Sequence, residues 1–196
     1  MENTEKHANS AKPKTSLFSV GALSVPAIAL IILIADQWSK AWVLQNIPYG
    51  TTLDVIPPIS AIFVLTHITN SGAAFGLFPQ LGIVFTFVAV LVSFAIVWYI
   101  RSIPAGQWLG RVSLGLQLGG AIGNLIDRLR FGSVIDMLYV HYYAQFSFPV
   151  FNIADSAIVC GVIILMWHLM KNAPKEDAAK KAEMVEAKSD VSENPG

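Results

Sequence analysis

The 196-residue chain is 54% hydrophobic and only 13% charged, and its 13 basic and 13 acidic side chains cancel. Soluble domains carry about 25% charged residues. The composition therefore excludes an ordinary water-soluble domain, and the missing basic surplus argues against a nucleic-acid partner. What remains is an integral membrane protein with charge concentrated at its ends. Eleven of the 26 residues from Lys171 to Gly196 are charged, whereas Leu17 to Met170 hold five Asp and five Lys or Arg.

Residues 1–16 are polar, carry Lys6, Lys12 and Lys14, and are expected to be a disordered cytoplasmic tail. Residues 17–35 have no charge and are long enough at ~1.5 Å per residue to cross a ~30 Å hydrocarbon core. The run ends in Asp36-Gln37-Trp38-Ser39-Lys40 rather than in small residues, so it reads as a retained span over about 17–36, with Pro26 a possible kink, and not as a cleaved leader. Residues 37–79 are interrupted by Pro48, Gly50, Pro57, Pro58 and Gly72 and are expected to form a small β-containing subdomain on the membrane, not a spanning helix.

Residues 81–100 are a second uncharged span closed by Arg101. A third is expected over 109–127. There Gly115, Gly119 and Gly123 recur every four residues beside Gly120, a smooth strip that lets another backbone approach. Residues 128–150, with Phe131, Tyr139, Tyr142, Tyr143, Phe146 and Phe148, read as a mixed loop rich in headgroup-level aromatics. A fourth span is expected over 151–170, followed by a charged cytoplasmic tail, 171–196. The fold class is thus all-α and membrane-embedded, with four transmembrane helices and a small extracytoplasmic β-containing subdomain. Lys and Arg cluster in both tails and around the 102–108 turn, which puts both termini in the cytoplasm and 37–79 and 128–150 outside.

This topology gathers Asp36, Asp127, Asp136 and Asp155 at one depth near the outer interface. Carboxylates beside lipid are costly, and a functional role is the default hypothesis. Asp127 is followed by Arg128 and is neutralised either by that local ion pair or by a link to a neighbouring helix, Asp36 has Lys40 one turn later, and Asp54 lies in a soluble-like stretch; each has a structural explanation. Asp136 and Asp155 have no adjacent base, although Asp155 sits near a helix start, where the dipole alone favours an anion. Two facing carboxylates can share a proton, so that one activates water while the other polarises a carbonyl. That chemistry needs neither metal nor cofactor. Ser133 and His141 lack a GxSxG setting for serine hydrolysis. His67, His141 and His168 lack metal-ligand spacing, though a site from Asp136, Asp155 and His141 is conceivable. Cys160 lies in an apolar run and reads as a small packing residue. A transporter or a scaffold using the same carboxylates is the alternative, against which stand the clustering at one interface and the lack of an inverted repeat.

Five segments, in order among the spans, carry a resemblance: Asp36-Gln37-x-Ser39-Lys40, Asn70-x-Gly72-Ala73-Ala74-Phe75, the run from Gly119 to Arg128, Gly132-x-Val134-x-Asp136, and Phe151-Asn152-x-Ala154-Asp155. Over roughly residues 25–170 the sequence resembles the lipoprotein signal peptidases, the type II signal peptidases of bacterial inner membranes. The resemblance implies four transmembrane helices with an extracytoplasmic β-cradle. It also implies an aspartyl endopeptidase that cuts diacylglyceryl-modified prolipoproteins on the amino side of the lipidated cysteine. By the same resemblance Asp136 and Asp155 are the catalytic pair, Asn70, Asn124, Arg128 and Asn152 orient substrate and pair, and Asp127 and Asp36 are supporting acids. Its partners are lipid-modified precursors and membrane lipids. Gly76 stands where many relatives have Ser, and the charged tail is longer than usual.

Overall fold

The computed structural model describes residues 20–72, 82–103, 106–142 and 146–172. The first helix, α1, runs Val20–Asn46 with Pro26 inside it. After it come a short strand β1 (Thr52–Leu53), a 3-10 turn (Pro57–Ile59) and strand β2 (Phe63–Asn70). Helix α2 (Gly82–Tyr99) ends in a 3-10 turn over Ile100–Ser102 and leads to α3 (Trp108–Phe131). Strands β3 (Val134–Tyr142) and β4 (Phe146–Ser147) precede the last helix, α4, Ile153–Asn172. The expected tail 1–16, nearly all of 171–196, and Ala73-Ala74-Phe75 of the second motif lie outside the described residues.

Two departures from the sequence reading have physical causes. The first helix continues ten residues beyond its expected end at 36, through Asn46. Asp36 and Lys40, which look like an exit from the membrane, are both fully buried and paired with each other, so they do not end the helix; the chain breaks only as it nears Pro48. The stretch 128–150, read as a loop, completes α3 and then supplies two strands. Val134, Ile135, Asp136 and Met137 are all buried, so β3 is covered on both faces and lacks the polar–apolar alternation that marks a half-buried strand. Among the described residues three helices are long and apolar enough to cross a membrane: Leu23–Asn46, Gly82–Ser102 and Ile153–Asn172.

The exception is α3, and its packing explains its composition. It carries Arg111, Gln117, Asn124, Asp127 and Arg128 among its glycines, and twelve of its residues are buried. Helices α1 and α2 both pack on it. Its glycines set the approach distances: a Cβ at Gly119 would stand 2.6 Å from the Ala29 carbonyl oxygen in α1, and one at Gly120 would overlap the Ala154 carbonyl oxygen in α4. Small residues here let two backbones close on opposite sides of α3. The outward faces of α1, α2 and α4 expose Leu30, Ile34, Phe87, Leu91, Ile163 and Trp167, an apolar surface suited to lipid and not to water.

The sheet is antiparallel in the order β1-β2-β3-β4. Strands β2 and β3 are neighbours although α2 and α3 intervene in sequence, with Ile68 opposite Asp136 and Asn70 opposite Val134. A register shift between Leu65 and Ile68 separates this end from the Phe63–Val140 end. Val43 in the last turn of α1 and Ile47 just after it pack onto Met137 of β3, with Leu65 and Leu138 beside them. Gly132, at φ 72°, closes α3 by donating its N–H to the Arg128 carbonyl at 3.0 Å. Only a residue that tolerates this left-handed conformation lets β3 start so soon after the helix.

Candidate active site

A buried ionic cluster joins α1 to α3. The Lys40 ammonium lies 2.8 Å from Asp36 Oδ2 and 2.8 Å from Asp127 Oδ2. Its third partner is Asn124 Oδ1 at 3.1 Å, so all three donors are used. Both carboxylates are held further. Asp36 Oδ1 accepts the backbone N–H of Ala154 in α4 at 3.0 Å, and Asp127 Oδ2 accepts that of Ile135 in β3 at 3.1 Å. Gln37 Nε2 donates to Asp36 Oδ2, Asp127 Oδ1 and the Gly123 carbonyl. Leaving either acid unpaired here would cost about 3–5 kcal/mol. The cluster therefore clamps four elements (α1, α3, β3 and the start of α4) around one point.

Asp136 and Asp155 stand beside that clamp, one on β3 and one in the first turn of α4, linked by Asn152. Asn152 Nδ2 donates to Asp136 Oδ1 at 2.7 Å, while its backbone N–H donates to Asp155 Oδ2 at 3.3 Å. In return Asn152 Oδ1 accepts the backbone N–H of Asp155 at 2.8 Å. This is a reciprocal cap at the start of α4, with Asn152 as the capping residue and Asp155 three positions on. The sequence Asn-x-x-Asp thus puts Asp155 at the helix N-terminus, where the backbone dipole also favours a negative charge. Two more asparagines complete the set: Asn124 Nδ2 donates to Asp155 Oδ1 at 2.8 Å, and Asn70 Nδ2 to Asp136 Oδ2 at 3.2 Å. Asn70 reaches Asp136 because the sheet register makes them diagonal neighbours on one face. Each carboxylate oxygen of the pair has one donor facing it.

Asp136 is almost completely buried. Burial, and then the negative charge of Asp155, push its carboxyl up to about 7; the bonds from Asn152 and Asn70 and the charge of Lys40 pull the other way. A carboxyl in that range can carry a proton at neutral pH and give it up during a reaction.

Both acids open into a cavity of about 540 Å³, lined mostly by apolar groups including Phe85, Phe148, Phe151, Ile158 and Val159. A second cavity, about 280 Å³, extends from Asp155 between α2, α3 and α4 past Val88, Ala89, Val92 and Ala121. Arg128 borders both, its guanidinium carbon 5.9 Å above the Phe85 ring. A site of this shape takes an apolar chain and presents one polar spot to it.

The family model for Signal peptidase (SPase) II matches residues 28–171. The chain belongs to the signal peptidase II family. A lipoprotein signal peptidase of Moorella thermoacetica is 46% identical over 149 residues, which cover 76% of this chain and 94% of the relative. That of Bacillus subtilis is 39% identical over 149 residues, again 76% and 94%. A solved bacterial membrane enzyme with 29% identity superposes with a TM-score of 0.68, covering 76% of this chain and 89% of the other. A second gives 0.66 at the same identity, covering 76% and 94%. As a signal peptidase II family member the protein is a membrane peptidase of lipoprotein processing.

Of the residues singled out in the sequence, Asn70, Asn124, Asn152, Asp136 and Asp155 converge on one hydrogen-bonded unit, and Arg128 borders it. Asp36 and Asp127 belong to the adjoining clamp. Asp127 pairs with Lys40 of α1, the link to a neighbouring helix that the sequence allowed beside a local pair with Arg128. The contact of Asp36 with Lys40 one turn later is present; Lys40 and Gln37 had not been assigned to the site, and their place in the first motif was the available signal. His141 stacks on Tyr139 at 4.9 Å, and His67 contacts the Ile47 carbonyl through Nδ1. Among the described residues no three His, Cys, Asp or Glu side chains converge as a metal-ligand set.

Proposed function

We propose that this family member is an aspartyl endopeptidase of the bacterial inner membrane that removes signal peptides from diacylglyceryl-modified prolipoproteins. The cut falls on the amino side of the lipidated cysteine, and Asp136 and Asp155 are the catalytic pair. The observation that carries the reading is the double use of Asn152, which holds one carboxylate by its side chain and the other by its backbone at the mouth of an apolar cavity.

In this reading Asp136 keeps the proton and Asp155 is ionised, since two close carboxylates do not both ionise easily. Asp155 takes a proton from a water molecule as the water oxygen attacks the scissile carbonyl. Asp136 donates its proton to the carbonyl oxygen. As the C–N bond of the tetrahedral intermediate breaks, Asp155 passes its proton to the leaving amine and a hydroxyl of the intermediate returns its proton to Asp136, so a carboxyl group and an amine are formed and the pair again holds one proton. Arg128 and Asn70, at the cavity wall, orient the substrate backbone. The apolar walls receive the signal helix and acyl chains.

The positive-inside rule supports both termini in the cytoplasm and the pair near the outer face. Helix α3 serves as a fourth, more polar span that lipid scarcely touches because its neighbours cover it. The reading is tested with the purified full chain in a bilayer. A diacylglyceryl-modified precursor should give a product beginning at the lipidated cysteine, identified by mass, and the unlipidated precursor should not be cut. Equal cleavage of both precursors would overturn the assigned substrate.

A further inference from the structure

Lys40 touches neither carboxylate of the pair, yet its place in the network gives it a role in the reaction. An asparagine amide fits its site almost equally well in two orientations, and its neighbours decide which atom is oxygen and which is NH2. An ammonium is a donor only. With Lys40 Nζ at 3.1 Å, the Asn124 atom facing it has to be Oδ1. The NH2 of Asn124 then faces Asp155, 2.8 Å from Oδ1. The same Asn124 oxygen accepts Asn152 Nδ2 at 3.2 Å, the nitrogen that also reaches Asp136. Reversing Asn124 would set its NH2 against a cation and a second NH2 and turn its oxygen toward a carboxylate.

We propose that Lys40 is a positioning residue for the cleavage reaction, acting through Asn124 to present an N–H donor to Asp155 and hold it as the ionised member of the pair. This rests on the aspartyl-pair reading of the site and extends it to a residue one shell further out. Asn152 has its own anchor in the helix cap, whereas the Asn124 donor is directed by the lysine. Asp36 and Asp127 hold the lysine in place from either side. The cation also opposes the rise in Asp136. Among the described residues, the charged groups around the pair are Asp36 and Lys40 from α1 and Asp127 and Arg128 from α3. The neighbouring positions of α2 and β2, Phe85 and Asn70, are uncharged.

The test is a double-mutant cycle on the full-length protein in a bilayer, with kcat, KM and the pH profile measured on a lipidated precursor. Lys40→Met should lower kcat at least about 10-fold with KM within about 2-fold, and move the high-pH limb of the profile, set by Asp136, to higher pH because the cation that opposes the rise is gone. Lys40→Arg keeps the charge and should keep the limbs in place while lowering kcat less. In an Asn124→Leu background either Lys40 substitution should cost little more, because the route is already cut. Where Lys40→Met does not yield folded protein, the Lys40→Arg cycle alone decides. Additive losses in the cycle, or an unmoved pH profile in folded Lys40→Met, would overturn the proposal and leave a purely structural lysine. Cleavage by Asp136→Asn or Asp155→Asn would instead overturn the underlying reading of the pair, which separates the two failures.

Discussion

Gly123→Ala tests the packing argument at its tightest point. A Cβ on Gly123 would stand 2.6 Å from Asp36 Oδ2 and 3.2 Å from Asp36 Cγ, where ordinary contact begins at 3.4 Å. The carboxylate would have to retreat by about 0.8 Å, yet it is held by Lys40 at 2.8 Å and by the Ala154 N–H at 3.0 Å. Overpacking of this kind costs about 1–3 kcal/mol, and losing a charge-assisted hydrogen bond about 1.5–3 kcal/mol. Alanine returns roughly 1 kcal/mol through its better helix propensity. The net expectation is a loss of about 2–4 kcal/mol, or roughly 5–15 °C in Tm for a chain of this size. Because Ala154 begins the turn that carries Asp155, cleavage by the surviving folded protein should fall as well. The assay is thermal unfolding in detergent alongside cleavage of a lipidated precursor, with Gly106→Ala as control, where an added Cβ meets nothing within 4 Å. A Gly123→Ala protein that melts with wild type and cleaves at full rate would refute the claim that α3 glycines set the geometry of the site.

Asn152→Ala removes the cap on α4 and the donor to Asp136 together; stability should fall by about 1–2 kcal/mol and kcat by about 100-fold or more, read by unfolding and by single-turnover cleavage. Cleavage should decline as pH rises through about 7, because the Asp136 proton, held up by burial and by the Asp155 charge, is lost there; it should decline again at low pH as the ionised partner is neutralised. A flat profile across neutral pH would contradict the shared-proton reading. Treatment with a chelator should leave cleavage unchanged, and inhibition reversed by added metal would point instead to a metal-assisted reaction.

Much of the site was legible because its acids are rare. In a chain with five acids between Leu17 and Met170, each demands a reason, and four of them do meet at one place. The spacing Asn152-x-x-Asp155 also had a local meaning as a helix cap, one that becomes plain once α4 is seen to begin at Ile153. Other features depended on three-dimensional packing. That Lys40 pairs with Asp127, 87 positions away, follows from the close approach of α1 to the glycine face of α3, which no local pattern states. The true length of α1 was hidden for the same reason: Asp36 and Lys40 look like solvent-facing charges until a third partner from α3 accounts for their burial. Strand β3 was missed because burial on both faces erases the alternation by which strands are recognised. The polar content of α3, which keeps it out of the set of apolar spans, goes with its packing: twelve of its residues are buried against the rest of the protein.

The central claim is that Asp136 and Asp155 act together on water. Its most direct test is to purify Asp136→Asn and Asp155→Asn separately in a bilayer and measure single-turnover cleavage of a diacylglyceryl-modified precursor, with folding checked by thermal unfolding. The account predicts that each folded variant binds the precursor and fails to cut it, with a loss of at least about 1,000-fold. Substantial cleavage by either folded variant would contradict it.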